Sequence, residues 1–233
     1  METALVTFCF DDGRASAVRE GALILERLGV CGTFYPIPAL VGTQNEHGAY
    51  ASWDDLRQAE QAGHEMGNHT RRHVREWMTW SSEEQRGEIS SADGTMINVG
   101  ALYGPRTFAY PFGLHTIALR TLVATTGYPG QYIAARTIDP GINTPATNPY
   151  QLKSLMVKSH HELHDVRAAL TEAARLRGWL ILTFHHIDTN GTFISTPPSL
   201  FESMVSMVAE SSVPIFTLKE GATHMFTRRE KRS

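Results

Sequence analysis

Three groups of residues in this chain could do chemistry together. Asp11-Asp12-Gly13 sets two carboxylates side by side, His69 and His73 stand four apart, and His185-His186 pairs two imidazoles. Adjacent acids beside apolar residues are costly unless something positive compensates them. In extended backbone, neighbouring side chains point to opposite sides. One carboxylate can therefore bind a metal while the other faces water or substrate. Histidines four apart on one helical turn share a face and can share an ion. With Asp12 as the third ligand, they make a two-His, one-carboxylate set with open positions for water and substrate. His185 offers a proton donor near neutral pH. Alone, each group also has a plainer reading: a solvated acidic turn, two surface histidines beside Arg71, Arg72 and Arg75, and a satisfied core histidine. A second cluster, His160-His161-Glu162-Leu163-His164, reads as the start of a surface helix rather than a metal site.

The elements that must position these residues alternate between apolar runs and helix-period segments. Strands are expected at Ala4–Phe10, Thr33–Pro36, His64–Asn68, Thr107–Tyr110, Gln131–Ala135, Leu152–Val157, Trp179–Phe184 and Val213–Leu218. Helices are expected at Ala17–Leu28, from Ser52 as N-cap through Ala62, from Ser82 onward with a weak point at Asp93-Gly94, and at His115–Thr125, Leu163–Arg177 and Ser199–Glu210. Such alternation favours parallel strands with helices packed outside, as a closed or nearly closed barrel. Chemistry in barrels gathers just after the strands. Asp11-Asp12, His69 and His73, Tyr110-Pro111-Phe112-Gly113, Arg136 and His185 all fall there.

The bulk composition narrows the class. The chain has 233 residues, is 42% hydrophobic and carries a formal charge of −3, which suits one globular domain over 1–233 and argues against nucleic acid as a partner. The basic tail at 227–233 reads as a frayed terminus. Cys9 and Cys31 are too few for a disulfide framework and read as buried free thiols. No stretch approaches the roughly 18 apolar residues of a membrane span. No secretory leader is visible, so the chain reads as cytoplasmic as it stands, or exported if a leader had been removed. No protein partner is evident.

Taken in order, the motifs resemble the polysaccharide deacetylase family, the NodB-homology or carbohydrate esterase family 4 domain. The family's first motif, T-F-D-D-G, matches Phe8-Cys9-Phe10-Asp11-Asp12-Gly13. The second, His with Ser or Thr, two variable residues, then His or Asp, matches His69-Thr70-Arg71-Arg72-His73 after Glu65-Met66-Gly67-Asn68. The third, R-x-P-F or R-x-P-Y, matches Ala109-Tyr110-Pro111-Phe112. The fifth, L-x-x-H, matches Leu182-Thr183-Phe184-His185. The resemblance implies a distorted (β/α) barrel of seven or eight strands. It implies Asp11 as general base, Asp12, His69 and His73 as ligands of one divalent metal, and His185 as general acid. Zinc comes first as the metal, with cobalt, nickel or manganese as alternatives. The metal would polarise an acetyl carbonyl, with a backbone N–H near Tyr110 helping to hold the oxyanion. The products would be acetate and a free amino sugar. Tyr110, Pro111 and Phe112 would wall the sugar site, with Leu182 beside it.

Two departures stand out. The third-motif arginine, which orients the base, falls on Ala109, and the fourth motif, an Asp followed by a pocket Trp, has no clean match. Ala134–Asp139 lies in its place and resembles a subgroup whose third motif reads Y-P-F-G or Y-P-Y-G. Arg136 is expected to reach Asp11 in place of the missing arginine, the plainer alternative being a surface arginine paired with Asp139. Arg106 is expected to point away from the site, and Trp179 into the core. The rival functions are a cyclic amide or ureide hydrolase of the allantoinase-like kind on the same fold, and a carbohydrate-binding domain with a dead site.

Overall fold

A computed structural model describes residues 3–100, 106–126 and 132–226. The basic tail lies outside them. The strands that build the site are β1 (Leu5–Asp12), β2 (Thr33–Pro36), β3 (Glu65–Met66), β4 (Arg106–Ala109), β5 (Tyr132–Arg136), β6 (Leu155–Met156) and β7 (Trp179–Phe184). Five of them form one parallel sheet in the order β3-β2-β1-β7-β6, and β4 pairs with β5, also in parallel. Two parallel bridges close the ring: Asn68 with Phe108 joins the end of β3 to β4, and Arg136 with Leu152 joins β5 to the run that enters β6. The result is a distorted (β/α) barrel.

Four expectations need correction. Val213–Leu218 is not a strand. It contributes a single bridge, Ile215 to Val6, where β2 does not reach alongside β1. A helix not foreseen, Leu218–Phe226, starts there instead. Thr217 Oγ1 accepts from the Glu220 N–H while Glu220 accepts from the Thr217 N–H, a reciprocal cap that ends the extended run. The helix Ser82–Asn98 runs unbroken through Asp93-Gly94. The Ala17–Leu28 helix opens with a π-helical turn at Ala17–Gly21 before Ala22–Arg27. Cys9 is buried, but Cys31 is only partly so, and both are free thiols.

Strand alternation sorts the side chains. Val6, Phe8 and Phe10 point outward into a cluster with Phe34, Phe184 and Phe201, where Phe10 stacks on Phe34 at 4.5 Å. Each such ring stabilises the fold by roughly 1.5–3 kcal/mol. Leu5 and Cys9 point into the barrel with Tyr35, Ala109, Ala134, Trp179 and Ile181. Trp179 is core, as its place in a strand suggested. Gly67, just after β3, permits a close approach: a Cβ there would overlap the Tyr35 ring.

Asp93 is fully buried. It accepts from the Asn68 side chain at 2.7 Å and from the Tyr132 hydroxyl at 2.8 Å, and it pairs with Arg106 at 3.0 Å. Arg106 thus points away from the barrel interior, into this cluster. Breaking a buried ion pair by removing one partner costs about 3–5 kcal/mol. Asp93→Ala is expected to lower the unfolding free energy by about 3 kcal/mol or more in a denaturant titration. A loss below about 1 kcal/mol would contradict this role for Asp93.

Candidate active site

β1 ends in the acidic pair, and its alternation puts Asp11 on the same inner face as Leu5 and Cys9. Asp12 would then point outward into the apolar cluster, but its backbone turns to φ +68° and Gly13 follows at +65°. Aspartate tolerates this left-handed conformation better than most residues. Gly13 lies against Pro36, where a Cβ would meet the Pro36 Cα at 2.9 Å.

His69 and His73 do not lie on a helical turn, contrary to the expectation. They sit on an irregular loop in which Thr70 and His73 have φ +65° and +52°. The loop is held from within. The Asn68 side chain accepts from the Thr70 N–H at 2.7 Å and donates to Asp93, and Thr70 Oγ1 accepts from the His73 N–H at 3.2 Å. In the sequence, Asn68 was named only in the lead to the second motif and Asp93 only as a weak point of a helix, and neither was given a role at the site. Asn68 could have been flagged only by its place before His69, and Asp93 by nothing local.

The loop brings both imidazoles to Asp12. His69 Nε2 and His73 Nε2 each lie 3.7 Å from Asp12 Oδ1. One ligand atom from each of the three falls within 4.8 Å of the others. A separation of 3.7 Å is too long for a hydrogen bond. It is close to the roughly 3.4 Å between two ligands of a tetrahedral ion at ~2.1 Å. Asp12 Oδ1 is buried and accepts no hydrogen bond. The Ala109 carbonyl lies 2.8 Å from His69 Nδ1, fixing the tautomer that leaves the Nε2 lone pair facing Asp12. This donor set fits a divalent cation.

Electrostatics agree with that fit. Burial favours the neutral Asp12 acid, but His185, His73, His69 and Arg14 outweigh it and hold the carboxyl below its usual range. Burial pushes His69 down to about 3, helped by His73, and burial also lowers His73. Both imidazoles are neutral near pH 7, as ligands must be. Burial brings His185 down to about 4 against the pull of Asp12. Its Nδ1 is buried without a partner.

Arg136 is fully buried and its guanidinium donates to Asp11 Oδ1. It also lies over the Tyr35 ring, 4.8 Å from the centroid. Ala109 and Arg136 are partners in the β4–β5 register. Asp11 is thus met by an arginine from the strand next to Ala109. Asp139 instead faces His115 at 3.3 Å. Arg14, directly after the acidic turn, was missed as a neighbour of the site. Its Nε lies 4.0 Å from Asp12 Oδ2.

Not every expected residue is at the site. The Tyr110 ring is buried with Trp77 and Phe108, and its hydroxyl donates to the Tyr150 carbonyl. Its N–H donates to the Arg136 carbonyl at 3.1 Å, so it has no spare N–H for an oxyanion. Pro111 is buried. Leu182 points outward with Leu180 and Phe184 into the helix-facing core, since it alternates with Ile181 and Thr183. Phe112 stands at the site, its ring 4.3 Å from that of His73 and under the Arg75 guanidinium at 4.2 Å. In the second histidine cluster, His164 is exposed and faces Glu162 and Asp165. Among the described residues, Asp12, His69 and His73 make the one group with metal-ligand geometry.

The profile of the polysaccharide deacetylases matches residues 1–130. The chain belongs to the polysaccharide deacetylase family. This deacetylase-family chain also resembles solved structures along almost its whole length. A Mycobacterium smegmatis protein assigned to the polysaccharide deacetylases is 16% identical at a TM-score of 0.70, with 99% of this chain and 92% of that one covered. A family 4 acetyl xylan esterase from Clostridium thermocellum, in complex with a cobalt ion, is 19% identical at 0.62, covering 95% and 91%. A structure described as T48 deacetylase with substrate is 19% identical at 0.64, covering 96% and 92%. These likenesses carry the fold. No curated protein sequence matches the chain. No helix among the described residues is long and apolar enough to cross a membrane.

The wild-type chain is expected to take up one equivalent of zinc or cobalt in a chelator competition. His69→Ala should weaken uptake by more than the ~10–100-fold that loss of a supporting hydrogen bond costs. An unchanged affinity would show that these three residues do not form a metal centre.

Proposed function

We propose that the chain is a metal-dependent deacetylase that removes N-acetyl groups from amino-sugar-containing oligo- or polysaccharides. One observation carries this reading: the Asp12, His69 and His73 ligand atoms converge beside an Asp11 already paired with Arg136. Asp12, His69 and His73 would hold one divalent ion, with zinc first and cobalt, nickel or manganese as alternatives. When bound, the ion supplies Lewis-acid polarisation of the acetyl carbonyl.

The chain's own residues do the rest. Asp11 takes a proton from the attacking water. Its pairing with Arg136 holds the carboxylate in place and stops it from swinging toward the cation site. His185 delivers a proton to the departing nitrogen. Burial keeps the free imidazole neutral near pH 7, so His185 must take up a proton before it can give one. Pro111 has no N–H and the Tyr110 N–H is committed to Arg136, so the Phe112 N–H is the next backbone donor for the oxyanion. Phe112, with His73 behind it, gives the sugar an apolar wall. The reading treats the whole chain as one catalytic domain whose substrate is an N-acetylated amino sugar. Retention of the three ligands together with Asp11 and His185 favours it over a cyclic amide hydrolase or a dead binding domain.

Wild-type protein with zinc or cobalt is expected to release acetate from N-acetylglucosamine oligomers. His185→Ala should lower turnover by about 10²–10⁴-fold, and Arg136→Met should lower it with the metal content unchanged. Ring opening of a cyclic ureide to its linear ureido acid, with no acetate from any N-acetylated sugar, would overturn the reading.

A further inference from the structure

A second cleft adjoins the candidate centre and shares Arg14 with it. It holds about 250 Å³ and is lined by Arg14, His47, His186, Thr192, Phe193 and Ile194. That is below the roughly 300–1,000 Å³ of drug-sized ligand pockets and suits a single ring. No carboxylate lines it. Arg14 and His186 are buried, at 5% and 3% exposure. Arg14 is braced by the Tyr50 ring at 4.1 Å and by Asn45, to whose Oδ1 it donates at 3.1 Å, and its Nε, which makes no hydrogen bond, faces Asp12 Oδ2 at 4.0 Å. His186 turns Nδ1 to Asp188 at 3.4 Å, and its buried Nε2 is likewise unpartnered.

The rim continues this character. Phe193 is 59% exposed, unusual for a ring that nothing covers. Lys158 Nζ lies 5.0 Å from its centroid, and the His160 ring 6.1 Å. The nearby acids are already engaged. Asp188 accepts from Asn190 and faces His186, Glu46 faces His47 at 3.6 Å, and Asp12 belongs to the candidate metal centre. An apolar face beside a buried guanidinium, a lysine at the rim and an unpartnered imidazole nitrogen is the chemistry that binds a sugar ring carrying an anionic group.

We propose that this cleft is a subsite for a carboxylated sugar next to the acetylated residue, with Arg14 as its main anchor and Phe193 as its stacking face. The inference rests on the deacetylase reading for its meaning, because it makes the substrate an acidic heteropolysaccharide rather than a neutral homopolymer. It does not need turnover for its test.

Equilibrium binding is measured by calorimetry on the full chain carrying Asp11→Asn, which stops turnover. Two tetrasaccharides serve as probes: neutral N-acetylglucosamine tetramer, and one alternating N-acetylglucosamine with glucuronate. The alternating sugar should bind about tenfold tighter or better, as expected for a charge-assisted contact. Adding Arg14→Met should bring the two affinities within about twofold of each other. If that variant does not fold, the pair His47→Ala with Lys158→Met, on exposed His47 and half-buried Lys158, decides instead and should reduce the preference several-fold. Equal binding of both probes overturns the subsite and leaves the deacetylase reading intact. A preference that survives both sets of substitutions overturns its location. Acetate release from neither probe by the wild-type chain, with the Arg14-dependent preference present, overturns the deacetylase reading and sustains the subsite.

Discussion

The end of β1 carries two acids in succession, and little water reaches either. Asp11 is 3% exposed and the Asp12 side chain 13%. Buried negative charge has to be met by positive charge or be given up by protonation. The two positions meet it differently. Asp11 pairs with a fully buried guanidinium from β5, and Asp12 faces imidazoles and the edge of Arg14. The proposed division of labour between base and ligand rests on this difference in partners. A carboxylate already tied to an arginine is not free to coordinate, while one with a buried, unpartnered oxygen and two neutral imidazoles opposite is suited to nothing so well as a cation.

Geometry of this kind has to be imposed on the backbone. Asp12, Thr70, His73 and Phe112 all have positive φ, and they account for four of the six non-glycine residues in that state among the described residues. Such conformations cost on the order of 1–3 kcal/mol each and persist only where the surroundings fix them. The surroundings here are the Asn68–Asp93–Tyr132–Arg106 cluster behind the histidine loop and the tight contact of Gly13 with Pro36. The barrel thus spends part of its packing energy on holding side chains that would otherwise relax away from one another.

Much of this was legible in the chain itself. Strand ends could be read from apolar runs, so the grouping of Asp11, Asp12, His69, His73 and His185 followed from barrel topology. The reach of Arg136 to Asp11 followed from strand order, because positions 109 and 136 fall on neighbouring strands. What escaped was local backbone conformation. Nothing in the spacing of His69 and His73 distinguishes a helical turn from a loop with two left-handed residues. Tyr110 and Leu182 were misplaced for a related reason. Motif adjacency says that a residue is near the chemistry, whereas strand alternation decides which face it occupies, and both face away. The capping pair Thr217 and Glu220 was readable, but the apolar run Val213–Leu218 outweighed it. Arg14 needed the folded cleft, since it belongs to no spacing pattern, and His186, read only as the neighbour of His185, needed it too.

The central claim is that the two acids do different work because they have different partners. Metal content and turnover measured together on Asp11→Asn and Asp12→Asn test it most directly. The account predicts that Asp11→Asn keeps its metal and loses turnover, while Asp12→Asn loses both. Equal loss of metal in the two variants, or turnover retained in Asp11→Asn, would contradict it.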